Sequence, residues 1–333
     1  MTSIRPCVVG FGEVVWDELP HATLPGGAPA NFVWHAQQLG AAGVLVSAVG
    51  DDQDGSDLLA WLERMGLDAR AVERNVHPTG RVHVRVTSRG EPGYAIRENS
   101  AWDAIRWTDQ LAELARRADC AYFGSLAQRS STSRATLYQF LRTTRPDCVR
   151  LFDVNLREPL PTADVIVQSL KLTDVLKLNV DEWPFVARQV GLSSDWRKGC
   201  RALLQRSDIR LIALTRGAEG SVLLTADDTH ELPGAPVEVA DTVGAGDAFA
   251  ATLAVGLLGE TPLDEIQRAA STIAAYVCTQ EGATPRLPME LSSMLSGLTG
   301  SVHLSRNRQR SLRAARRAEL TDHNCDGEPA ATV

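Results

Sequence analysis

Seven residues, Asp241-Thr-Val-Gly-Ala-Gly-Asp247, have the types and the spacing to do chemistry on a phosphate. Gly244, Ala245 and Gly246 are small, and the Ala-rich apolar run that follows, Ala248 to Leu258, reads as a buried helix. The first N–H groups of a helix lack intrahelical partners, and the helix dipole adds partial positive charge, so this turn suits an anion, phosphate above all. Asp247 shares the turn. A carboxylate repels a bound phosphate, which serves no purpose in binding alone. It serves one if a hydroxyl must give up its proton as it attacks the phosphoryl group. Gly-x-Gly before a helix also permits close packing on a strand, and an Asp in a first turn is an ordinary dipole partner. The four residues Gly244 to Asp247 leave the two readings level.

Other polar residues fall in patterns that would serve the same reaction. Asp153, Asn155 and Arg157 alternate after an apolar run at 149–152. An extended chain points all three one way, at the C-terminal end of a strand, which is the ligand edge of an open α/β sheet. Arg157 suits phosphate through its forked donors, with a surface ion pair to Asp153 as the plain alternative. Asn179 and Glu182 end another strand with the spacing of a helix cap, Asn at N-cap and Glu at N3, and locally the cap is the better reading. Thr215, Gly217 and Gly220 close a third strand in a hairpin-like turn, whose glycines also suit a nucleotide lying against backbone. Near the N-terminus Gly26 and Gly27 let backbone approach a ligand. Asn31 opens a helix, either as its cap or as a ligand-facing group.

These groups need a scaffold that gathers strand ends. Short apolar runs at 5–11, 44–49, 119–123, 149–152, 174–178 and 210–214 alternate with helical patterns at 32–39, 109–117, 134–143, 163–170, 181–189 and 196–206. That is the βαβ rhythm of a parallel sheet. The run at 236–240 reads as a strand leading into Asp241, and Ser221 to Leu224 with Thr229 to Leu232 as an antiparallel pair. The rhythm breaks over 69–97, where Val82, Val84 and Val86 alternate with Arg81, His83 and Arg85. Strict alternation buries one face and wets the other. Lid strands are therefore expected from about 12–26 and 69–98, forming a small sheet over the main one. One apolar lid face would suit pairing with a second subunit.

The chain has 333 residues, 44% hydrophobic and 23% charged, an ordinary globular composition with room for a large core. A net charge of −7 argues against nucleic acid as a partner. No apolar run approaches a membrane span, and no secretory leader is evident, so a cytoplasmic protein without a membrane partner is expected. The six cysteines are scattered without a C-x-x-C pair and read as free thiols. A Gly-x-x-x-x-Gly-Lys-Ser/Thr loop, a protein-kinase Gly-rich loop, a Gly-x-Ser-x-Gly elbow and paired Cys/His zinc spacing are all absent. Six arginines between 306 and 317 and a polar end set 301–333 apart as a tail, expected to be disordered, against a catalytic unit over 1–300.

The order and spacing of these pieces resemble the ribokinase-like (phosphofructokinase-B) sugar kinases over roughly residues 5–290, and within them the fructokinases. The resemblance rests on Gly26-Gly-Ala-Pro-Ala-Asn31, Val49-Gly-Asp-Asp52, Asp153-Val-Asn-Leu-Arg157, Lys177-Leu-Asn179 with Glu182, Thr215-Arg-Gly217 with Gly220, and Asp241 to Asp247. Gly12 to Asp17, Trp34-His35, His77 to Gly80, Glu98 to Asp103, Phe123 to Arg129 and Gly282 to Pro285 point to the fructokinases. The resemblance implies an α/β fold, a ribokinase-like three-layer α/β/α doubly wound sheet with a small β-sheet lid. It implies ATP-dependent phosphorylation of a sugar primary hydroxyl, D-fructose foremost, with Asp247 as base and Gly244, Ala245 and Gly246 as the anion hole. Arg157 would contact phosphates. Asp17, Gly26, Gly27, Asn31 and Trp102 would hold the sugar. Asn179 and Glu182 would organise Mg2+ and ATP through water, and Thr215, Gly217 and Gly220 would line the nucleotide. Asp241 would help hold a monovalent cation, K+. Two alternatives stay open: another acceptor (a different sugar, a keto-sugar acid or a nucleoside), and a catalytically silent sugar- or nucleotide-sensing protein.

Overall fold

The computed structural model describes residues 5–19, 22–86 and 92–295. The tail expected over 301–333 lies outside the described residues, as does Cys325; the other five cysteines are free thiols. In chain order the strands are β1 (Cys7–Phe11), β2 (Val15–Glu18), β3 (Thr23–Gly26), β4 (Ala42–Gly50), β5 (Val72–Asn75), β6 (Gly80–Val86), β7 (Pro92–Ile96), β8 (Cys120–Gly124), β9 (Val149–Asp153), β10 (Val175–Asn179), β11 (Leu211–Thr215), β12 (Ser221–Leu224) and β13 (Thr229–Leu232). The helices are α1 (Ala28–Gln38), α2 (Gln53–Arg64), α3 (Asp109–Arg117), α4 (Ser131–Thr143), α5 (Ala163–Lys171), α6 (Trp183–Gln189), α7 (Trp196–Arg206), α8 (Ala245–Leu258), α9 (Leu263–Cys278) and α10 (Met289–Ser292).

Nine strands form the main sheet in the order β13-β12-β11-β10-β9-β8-β1-β4-β5. From β11 to β5 all neighbours are parallel, while β12 and β13 add an antiparallel edge. The order reverses between β8 and β1, and at such a switch point the loops beyond the strand ends part and leave a crevice. Adjacent residues on each strand enter opposite layers. Val8, Leu45, Tyr122, Leu151 and Val175 pack with α1, α2, α8 and α9. Val9, Val46, Ala121, Phe152 and Leu176 pack with α3 to α7. Helix α8 is buried over most of its length, which is why its sequence is apolar all round rather than striped.

The second sheet has the order β3-β2-β6-β7 and forms the lid. Arg81 on β6 anchors it, donating from Nε and Nη2 to the Asp54 carboxylate of α2 at 2.7 and 2.6 Å and pairing with Glu18 on β2. Two expectations need correction. The strand at 72–75 belongs to the main sheet, paired with β4, so the lid draws on 80–96 rather than on the whole of 69–98. Residues 236–240 are not a strand. Their neighbour there is the end of α9, and the Ala240 and Asp241 amides bond the Cys278 carbonyl. Val237 and Val239 stay exposed and wall the cleft.

Candidate active site

A cleft of about 1630 Å³ lies over the C-terminal ends of the parallel strands and under the lid. Asp247 stands in it on the first turn of α8, 8% exposed. Gly244, at φ 80, is the N-cap, and no side chain caps this helix end. The first helical bond runs from the Ala248 amide to the Gly244 carbonyl, so the Gly246 and Asp247 amides precede it. A positive φ suits glycine. A Cβ on Gly244 would also stand 2.5 Å from the Ala283 carbonyl oxygen, so the turn is seated against the 283–287 loop.

That loop is held by α1. Trp34 Nε1 and Gln38 Nε2 donate to the Pro285 carbonyl at 3.2 and 3.1 Å, and Gln38 Oε1 accepts from the Leu287 amide at 2.8 Å. His35 Nε2 faces the Ala283 carbonyl at 2.9 Å. Burial pushes His35 down to about 4, so the ring is neutral and its Nε2 carries the proton given to that carbonyl.

Helix α1 begins earlier than its sequence pattern suggests, at Ala28 after the N-cap Gly27, with Pro29 in the first turn. Asn31 is therefore not the cap. It sits one turn in, and its Nδ2 donates to Asp247 Oδ2 at 2.9 Å. Asp17 on β2 lines the same end of the cleft, with burial pushing it up to about 6. Gly26, across from it on β3, leaves the space that the Asp17 carboxylate fills. Glu13, which sequence reasoning did not single out as a site residue, also lines the cleft. It is buried, its Oε2 has no hydrogen-bond partner among the described residues, and burial pushes it up to about 7.

Asp247 is pushed up to about 6, first by burial and then by the charge of Asp153, while Asn31, Lys177 and Arg157 pull the other way. Asp153 does not face the cleft beside Asn155 and Arg157. Asn155 adopts φ 40, which breaks the alternation, and the fully buried Asp153 turns under α8. There Lys177 Nζ bonds both its oxygens at 3.0 and 2.9 Å. Asn155, Arg157 and Lys177 line the cleft. A Cβ on Gly246 would stand 2.9 Å from Lys177 Nζ, so this ammonium lies against the turn itself. Tyr122 carries no local motif, and the Lys177-Leu-Asn179 pattern does not by itself assign Lys177 a role; the pairing of β8, β9 and β10 brings both here.

Asn179 and Glu182 do not cap α6 as expected, because Asn179 ends β10 and the N-cap is Glu182 itself; they exchange reciprocal bonds across the turn between strand and helix. Asn179 Oδ1 accepts from the Glu182 amide at 2.9 Å and Glu182 Oε2 from the Asn179 amide at 2.8 Å. Glu182 Oε1 accepts from the Leu156 amide at 2.7 Å, tying the loop after β9 to the same turn. Thr215, Gly217 and Gly220 line the far end of the cleft, facing Ala269, Thr272 and Ala275 of α9, whose lining role has no motif to announce it. Asp241 joins two loops, accepting from the amides of Val243 at 3.0 Å and Gly282 at 3.2 Å.

Trp102 is not brought to the cleft. It is fully buried, with the Arg129 guanidinium 4.1 Å over its ring. Arg129 also clamps Asp103 at 2.7–2.8 Å, and Asp103 completes the capping box with Ser100, so residues 100–103 turn inward and support the start of β6, while Glu98 and Asn99 stay exposed.

The model of the pfkB family carbohydrate kinases matches residues 13–290. The fructokinase of Escherichia coli is 30% identical over 296 residues, covering 84% of this chain and 95% of the relative. A Xylella fastidiosa fructokinase with bound ATP superposes with a TM-score of 0.76 at 24% identity, over 88% of this chain and 98% of that one. A Vibrio cholerae fructokinase double mutant, in its fructose, ADP and potassium ion bound form, gives a TM-score of 0.74 at 23% identity, over 89% of this chain and all of that one (100%). Among the described residues no helix is long and apolar enough to cross a membrane.

Proposed function

The chain belongs to the pfkB family of carbohydrate kinases, and on that premise we propose that it transfers the terminal phosphoryl group of ATP to a primary hydroxyl of D-fructose, with Asp247 as general base. The observation that carries this reading is the position of Asp247. It is buried between Asn31, on the lid side, and the uncapped start of α8. Asp17, Gly27 and Asn31 hold acceptor hydroxyls, and Gly26 supports them by making room for Asp17. Asp247 takes the hydroxyl proton as the oxygen attacks in line. The turn Gly244, Ala245 and Gly246, with Arg157, offsets charge building on the transferring group; the Ala245 amide, which donates to the Thr242 carbonyl at 3.4 Å, exchanges that long bond for the phosphoryl oxygen. Thr215, Gly217 and Gly220 cradle the nucleotide against backbone.

Mg2+ bound with ATP would offset negative charge on the phosphates. Both Glu182 oxygens already accept backbone amides. Asn179 and Glu182 therefore fit the metal through water, by fixing the loop around it, rather than as direct ligands. Asp241 fits a monovalent cation only together with backbone carbonyls of the 278–286 loop, which it ties down through Gly282. D-Fructose is favoured by the relatives named fructokinase and by the fructose in the Vibrio cholerae structure. An initial-rate screen of sugars with ATP, with and without K+, tests the acceptor. The highest kcat/KM belongs to D-fructose; inactivity there beside strong turnover of a keto-sugar acid or a nucleoside would replace it. We place the catalytic unit in residues 1–300, so deletion of 305–333 leaves turnover unchanged.

A further inference from the structure

We propose that Tyr122, Asp153 and Lys177 form a buried relay behind Asp247 that sets the proton affinity of the base, with Tyr122 as the positioning residue through which it acts. The inference rests on Asp247 being the base and goes beyond it, to what makes it basic. Tyr122 lies on β8 and is fully buried, its ring stacked on Phe32 of α1 at 4.1 Å between centroids. Its hydroxyl stands 3.2 Å from Asp153 Oδ2 and 3.4 Å from Asp247 Oδ1. Asp153 is closed on its other side by Lys177. The chain Asp247–Tyr122–Asp153–Lys177 thus runs beneath α8, and neither Tyr122 nor Asp153 belongs to the cleft wall.

A tyrosine hydroxyl has one proton to donate. Burial and the two neighbouring carboxylates hold the Tyr122 phenol protonated, well above its ordinary range. The hydroxyl is within reach of both carboxylates; the relay assigns its proton to Asp153, the nearer acceptor and the one whose hydrogen bond holds the phenol protonated, which leaves a phenol lone pair facing Asp247. An ionised Asp247 gains nothing from that lone pair, whereas a protonated Asp247 can donate to it. The relay therefore favours the protonated acid, the form present once the acceptor hydroxyl has lost its proton. No proton need travel along the chain. The other groups acting on Asp247 are accounted for: the Glu13 and Asp153 charges favour its protonated form, and Arg157, Lys177 and the Asn31 amide favour the ionised one. Lys177 supplies the positive charge that offsets the carboxylates gathered around it. Burial works against its ammonium, but Asp153, Glu182 and Asp247 more than offset this and its pKa is raised.

The test is Tyr122→Phe, which keeps the ring stack and removes the oxygen. In protein carrying 13C at the aspartate carboxyl carbons, the Asp247 signal is identified by its loss in Asp247→Asn. Its titration midpoint moves down by about 0.5–1 pH unit in Tyr122→Phe. The acid limb of kcat/KM for the acceptor moves down with it, while KM for ATP stays within about twofold. A role in packing alone would lower stability and leave the midpoint in place. Asp153→Asn, whose amide oxygen still accepts from Lys177, gives the same downward shift and stands in if Tyr122→Phe does not fold. An Asp247 midpoint that is unchanged or raised in the variant measured overturns the relay. Near-normal turnover of Asp247→Asn would instead overturn the base on which the relay rests, and that measurement is separate.

Discussion

Asn31 and Asp247 stand 216 positions apart in the chain and meet through a 2.9 Å hydrogen bond, Nδ2 to Oδ2, in the cleft under the lid. The bond favours the ionised base and opposes the burial that pushes Asp247 up to about 6. Asn31→Leu keeps the volume and removes the donor. The acid limb of kcat/KM should then move up by about 0.5–1 pH unit, opposite in sign to the effect of Tyr122→Phe. Since Asn31 also faces the acceptor, kcat/KM for the sugar should fall by about 10–100-fold at neutral pH, with KM for ATP unchanged. A pH–rate series with both variants checks the two signs together.

Asp247→Asn should separate activity from stability. Loss of a general base costs about 10²–10⁴ in kcat while ATP still binds. Stability should move the other way. A carboxyl whose folded pKa is raised favours the folded state fully below the ordinary carboxylate range, and that contribution is lost as pH rises through its folded value, here about 6. At about pH 8 the ionised Asp247 is a burden, and removing it should stabilise by on the order of 3 kcal/mol or less. At about pH 4 wild type and variant should match. Urea unfolding at the two pH values measures this; a variant less stable at about pH 8 would contradict it.

The sequence makes legible what depends on short spacing. The βαβ rhythm, the hairpin of β12 and β13 and the turn at Gly244 all carry local patterns, and the structure contains them. The reciprocal bonds of Asn179 and Glu182 follow from their four-residue spacing, but they close the turn before α6 rather than cap the helix, which starts one residue after Glu182. The sequence pattern misplaces the start of α1 because the polar type of Asn31 suits a cap as well as a ligand-facing group, while the true boundary is set by Pro29 and Gly27 upstream. Trp102 misled because a ligand-facing aromatic and a buried one look alike in sequence; only Arg129, from a distant segment, turns it inward. Tyr122, Asp153 and Lys177 come from three separate strands, so their meeting is a property of strand order, which single-strand patterns do not contain.

The lid should loosen without its anchor. Arg81 ties β6 to Asp54 of α2, and Trp16 Nε1 on β2 donates to the Asp54 carbonyl at 3.1 Å. Arg81→Ala removes the charged tie and leaves the cleft floor intact. KM for the acceptor should rise about 3–10-fold with KM for ATP within about twofold, because the lid strands carry Asp17 and Gly26, proposed to serve the acceptor, and none of the residues proposed for the nucleotide. Equal increases in both constants would mean that the anchor supports the whole cleft.

Lys177 and Asp153 should prove to be a pair whose separation costs more than its removal. Both are buried, and the ammonium bonds both carboxylate oxygens. Lys177→Met leaves Asp153 as a buried charge beside Asp247, and breaking such a pair costs about 3–5 kcal/mol. Replacing both partners, Lys177→Met with Asp153→Leu, removes the orphaned charge and should restore most of that stability. Activity should not return with it. Lys177 Nζ lies against Gly246, where charge builds on the transferring phosphoryl group, so kcat should remain at least about tenfold down in the double variant. Denaturant unfolding and steady-state kinetics on the same three proteins decide the matter: recovery of kcat together with stability would reduce Lys177 to a structural partner of Asp153.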